Sequence, residues 1–103
     1  EYPDVSVDEL FDAWKNVLRR AKQFEQHQIS RSELSVREHM TIILRKLNEK
    51  DLLEFSSFFD TEKEPIPKLV VFFLAILELT KEGLIKINQQ SSSSPIYLQL
   101  GEI

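Results

Sequence analysis

The chain has 103 residues, 42% of them hydrophobic and 29% charged, with a net charge of −4. That balance is too apolar for a disordered chain and suits one soluble domain with a modest core. It also counts against a free-standing duplex-DNA binder, because phosphate neutralisation supplies much of such a protein's affinity, although it leaves room for a local basic patch. Cysteine is absent, which excludes disulfides and thiolate metal sites and fits a reducing compartment. The longest apolar run, Leu69 to Leu77, has nine residues, against about 20 needed to cross a bilayer. The first residues are acidic, and no basic segment leads into an apolar one, so no secretory signal is expected. A start at Glu1 rather than methionine reads as a piece of a longer protein.

Pro3 discourages helix in the first residues, and Ser6 with Glu9 forms a capping box. Val7, Leu10, Phe11, Trp14, Val17, Leu18, Ala21 and Phe24 then step by three and four. That spacing predicts an amphipathic helix over residues 7–26, with Asp8, Asp12, Lys15, Arg19, Lys22 and Glu25 opposite. It is expected to pack on its own domain or to serve as a dedicated partner-binding helix. Residues 27–34 are polar and irregular, with room for a short strand around Ile29. Ser35 and Glu38 form a second capping box, and Val36, Met40, Ile43, Leu44 and Leu47 mark a helix over 36–49.

Leu52, Leu53, Phe55, Phe58 and Phe59 suit a short strand followed by one helical turn. Residues 60–67 read as a loop, with Pro65 and Pro67 holding off helix until just before Lys68. A helix over 68–82 is expected next, stopped by Gly83. Ile85 and Ile87, then Ile96, Leu98 and Leu100, alternate with polar residues across a Ser91–Ser94 turn. That period of two predicts a β-hairpin with one buried face.

From residue 35 onward the order is helix, short strand or turn, long helix, hairpin, which is the order of a winged helix-turn-helix domain. The expected class is therefore α+β: a lead-in helix and linker over 1–34, then a winged-helix domain over 35–103. In a DNA-binding member of this class the helix at 68–82 enters the major groove and needs Arg, Lys, Asn or Gln outward. Here it holds two lysines and two glutamates, with no Arg, Asn or Gln. Projected at about 100° per residue, Leu69, Phe72, Phe73, Ile76 and Leu77 fall together toward a core. Val71, Leu74 and Ala75 fall in the arc of Glu78, Lys81 and Glu82. Either the first helix folds back over that second side or a partner covers it. The hairpin tip also lacks the Lys or Arg of a DNA-reading wing, and its last strand, 96–100, is expected to be an edge open to pairing.

Catalytic patterns are missing. His27 and His39 lack HExxH spacing, no cysteine joins them, and His39 is expected to be a polar surface residue. The two glycines, Gly83 and Gly101, make no phosphate loop, and Glu62 and Glu64 read as solvated loop charges. No enzyme activity, metal or cofactor is expected.

The segment Pro67 to Leu79, with Phe73-Leu-Ala-Ile-Leu-Glu-Leu79 at its heart and Gly83-Leu-Ile85 after it, resembles the C-terminal domain of segregation and condensation protein A, the bacterial kleisin. Ser35-Val-Arg-Glu-His-Met40, the Phe55–Phe59 cluster and Pro95-Ile-Tyr97 are similar to that family too, so the likeness covers about residues 7–100. It implies a non-enzymatic adaptor whose winged helix binds the ATPase head of an SMC protein and helps close a ring around DNA, in chromosome condensation and segregation. It implies segregation and condensation protein B as a partner through the wider chain, DNA contact only through the complex, no membrane, and a cytoplasmic place at the nucleoid. The position-by-position likeness and the helical projection together give Val70, Val71, Phe73, Leu74, Leu77, Ile96 and Leu98 as candidate contact residues. The hairpin tip lacks the aromatic that often stands there in the family. A winged-helix transcription regulator that binds DNA is the alternative, and a homodimer through the same apolar face is a third possibility.

Overall fold

The structure is a computed structural model that describes residues 7–23 and 35–101. Helix α1 spans Val7–Gln23 and α2 spans Val36–Glu49. Strand β1 is the pair Leu53–Glu54, followed directly by a 3-10 turn, Phe55–Phe58. Helix α3 is Ile66–Lys81, and strands β2 (Ile85–Gln89) and β3 (Ile96–Leu100) form the hairpin. Among the described residues the fold is thus α+β, three α-helices with a small three-stranded antiparallel sheet. Ser6, the end of the expected first helix at 24–26 and the strand around Ile29 lie outside the described residues.

Local chemistry accounts for the boundaries. Ser35 Oγ accepts the Glu38 amide at 3.2 Å, supplying one of the donors that a helix start leaves unpaired. Helix α3 begins two residues earlier than the prolines suggested. Pro65 is its N-cap and Pro67 sits in the first turn, where a missing N–H costs nothing and the fixed φ already suits a helix. At the other end Gly83 has φ +76°, the Gly83 amide donates to Thr80 O at 3.1 Å, and the Leu84 amide donates to Leu79 O at 2.9 Å. This pair of bonds is the Schellman closure, and it turns the chain into β2.

The sheet order is β1-β3-β2. Leu53 pairs with Leu98, while Ile85, Ile87 and Gln89 pair with Leu100, Leu98 and Ile96. Strand β3 is therefore central, which corrects the expectation of a free edge at 96–100. The two residues of β1 take its second side, and β2 and β1 form the edges. Ile85, Ile96 and Leu98 point into the core with Ile43, Leu47, Leu69, Ile76 and Leu79. Burying each such side chain is worth about 1.5–3 kcal/mol.

Helix α1 docks through aromatic rings. Trp14 stacks on Phe73 with centroids 4.4 Å apart and planes 4° apart, and lies 5.4 Å from Phe59. His39 proves buried rather than surface-exposed, at 5% exposure. Its Nδ1 is 2.8 Å from Ser35 O, and its ring stands edge-on to Phe72 at 4.5 Å. It bonds the carbonyl of the N-cap residue Ser35 and packs on α3, which its polar neighbours in sequence gave no sign of.

Candidate functional site: an apolar helix face

Helix α3 is apolar almost all round, so the surrounding elements decide which side stays uncovered. Helix α2 packs along one side, where Leu69, Phe72, Ala75, Ile76 and Leu79 are buried. Ala75 was expected on the outer arc and is fully buried instead. Its small side chain lies on a side of α3 covered by the rest of the fold. Helix α1 covers a second side through Phe73.

A third strip is left open. Val70 is 36% exposed and Leu74 44% exposed, one helical turn apart, with Lys81 two turns further on. Val71 and Leu77 flank them half-buried. Phe11 of α1, 43% exposed, stands edge-on to Phe73 at 5.9 Å and so carries apolar surface from α1 toward this strip. Val7, one turn before it, is also exposed. The question left open by the sequence thus has a divided answer. The first helix folds back on α3, yet it covers Phe73 and not Val70 or Leu74.

Of the seven candidate contact residues, Val70, Val71, Leu74 and Leu77 share this outer side. Phe73, Ile96 and Leu98 do not join them. Phe73 is enclosed by Trp14 and Phe55, and Ile96 and Leu98 face the core from the central strand. Their side chains already have partners within this chain, which argues against surface contact. Phe11, read from its spacing as part of the apolar stripe of α1, stands at the margin of that stripe and is partly exposed.

The outer strip holds no array of base-reading side chains. Its polar margin consists of Glu78, Lys81 and Glu82. The hairpin tip is neutral, closed by the Ser94 amide on Ser91 O at 3.0 Å and by buried Gln89, whose Nε2 donates to Ser94 O at 2.8 Å. Among the described residues no group of His, Asp and Glu is placed to hold a metal ion, and no helix is long and apolar enough to cross a membrane.

These features define a small α+β domain with a partly uncovered apolar helix. The family described as "Segregation and condensation protein ScpA" matches residues 3–101, and the chain belongs to that family. It is 43% identical over 97 residues to segregation and condensation protein A of Xylella fastidiosa strain 9a5c, covering 94% of this chain and 32% of that protein. It is 32% identical over 98 residues to the protein of the same name from Coxiella burnetii, covering 95% of this chain and 36% of the relative. The Listeria welshimeri protein is 35% identical over 100 residues, covering 93% and 39%. The chain therefore spans about a third of the length of these curated relatives. By family it is a segregation and condensation protein.

Proposed function

We propose that residues 35–103 form a winged-helix domain, led by a helix and linker over 1–34, that binds the ATPase head of an SMC protein. The bond is made by burying Val70, Leu74, Leu77 and Val71 of α3 against the head. The observation that carries this reading is the exposure of Val70 and Leu74 on a side of α3 that no other described element covers. A DNA-reading helix would present Arg, Lys, Asn or Gln at such positions. Burial of an apolar strip contributes about 25 cal/mol per Å² before the cost of association is subtracted.

The element order supports the winged-helix reading, with α2, the 3-10 turn and α3 as its helices and β2–β3 as its wing. Strand pairing on a partner, if it occurs, uses β2, the longer edge, rather than β3. The family supports ring closure in chromosome condensation as the purpose of the contact. Segregation and condensation protein B then engages the wider protein, and DNA is held by the assembled complex in the cytoplasm, at the nucleoid. The domain acts by binding, with no chemical step of its own.

The test is co-elution of this chain with an isolated SMC ATPase head in size-exclusion chromatography, beside a salt titration with duplex DNA. The expected result is a stable one-to-one complex with the head and no appreciable DNA binding. Failure to co-elute, with micromolar and strongly salt-dependent DNA binding, would favour a transcription regulator instead. Self-association of the chain alone, with no head complex, would mark the face as a homodimer contact.

A further inference from the structure

A concave feature lies away from the α3 strip. The side of α1 that carries Glu9, Asp12 and Arg20 faces the hairpin tip and the 3-10 turn across a groove of about 610 Å³. Phe55, Pro95 and Ile96 give the groove an apolar floor. The Ser92 hydroxyl donates to Glu9 Oε1 at 3.0 Å and ties the tip to α1 across it.

Charge is segregated along the groove. The acidic groups of α1, Glu9 and Asp12, lie toward its start, and the basic ones, Arg19 and Arg20, lie toward its end. Three of the charged lining groups are engaged within the chain: Glu9 by Ser92, Arg19 by Asn16 at 2.8 Å, and Glu54 by Ser56 at 2.6 Å. Asp12 and Arg20 have no hydrogen bond or ion pair among the described residues. Eight residues apart on a helix, they stand about 12 Å apart along its axis.

We propose that this groove is a docking site for an extended peptide segment of a partner protein that carries a basic and an acidic side chain four residues apart. In an extended chain, positions i and i+4 lie on the same side and are about 13 Å apart, close to the axial rise between Asp12 and Arg20. The basic group meets Asp12, the acidic group meets Arg20, and an apolar side chain between them rests on Phe55 and Ile96. The site is separate from the α3 strip and does not depend on head binding.

The experiment is an NMR titration of the 103-residue chain with the pentapeptide Lys-Ser-Val-Ser-Glu, acetylated at its N-terminus and amidated at its C-terminus. Its like-charged counterparts, Lys-Ser-Val-Ser-Lys and Glu-Ser-Val-Ser-Glu, serve as controls. The expected result is shifts confined to α1, the 3-10 turn and residues 91–96, with affinity falling about two- to fivefold for either like-charged peptide, as loss of one partly exposed ion pair implies. Arg20→Glu, on an exposed helix face that should tolerate it, reverses the order and favours the doubly basic peptide. Equal binding of all three peptides, or shifts elsewhere, would overturn the proposal. The wild-type comparison decides the matter even if the variant fails to fold.

Discussion

Gly83 and Gly101 meet where the hairpin leaves α3. Gly83 holds a left-handed φ that a side chain resists, and a Cβ on Gly101 would run into the Gly83 carbonyl oxygen. The Gly101 amide meanwhile donates to Leu84 O at 2.8 Å, so the clash cannot be relieved without losing that bond. Gly83→Ala is expected to cost about 1–2 kcal/mol, the usual penalty for left-handed backbone with a Cβ. Urea denaturation of the variant measures it, and an unchanged midpoint would show that α3 ends without this turn. Gly83 was legible as a helix stop from its place after an apolar run. Gly101 was not, because its neighbour is 18 positions away in sequence and close only in the fold. His39 was misjudged for a related reason: its partners are Ser35 O, a local group, and Phe72, a distant one.

Among the elements, α1 depends most on a few side chains. Trp14 and Phe11 hold it on Phe73, and Leu10, Val17 and Ala21 complete its buried side. Trp14→Ala should cost about 3–5 kcal/mol, the range for removing a buried aromatic ring. Hydrogen exchange is expected to show α1 amides losing protection while those of α2 and α3 around Ile43 and Ile76 keep theirs. Equal loss throughout would mean that α1 and the rest form one cooperative unit. Helix α2 and the hairpin were readable from a capping box and from alternation, both local signals. The place of β3 was not, since its pairing with β1 joins Leu53 to Leu98 across 45 positions. The sides of α3 were only partly readable. Where nearly every residue is apolar, periodicity cannot choose a face, and Ala75 fell on the wrong side for that reason.

At the scale of the whole molecule, one core joins α2, α3 and the sheet, α1 is laid against its aromatic margin, and the outer strip of α3 stays open. Phe73, Ile96 and Leu98 are held inside the core, so folding alone accounts for their apolar side chains. Val70 and Leu74 have no such reason, and under the proposed function this outward apolar pair is what the SMC head covers. Replacing Leu74 should leave the domain intact, because nearly half of its surface is already in water. The most direct measurement is isothermal calorimetry of Leu74→Arg against an isolated SMC head, paired with a thermal melt of the variant. The expected result is a melting temperature within a few degrees of the parent and no measurable heat of binding, since burying an unpaired guanidinium in an apolar contact outweighs a modest interface. Full-strength binding by the folded variant, or an unfolded variant, would contradict it.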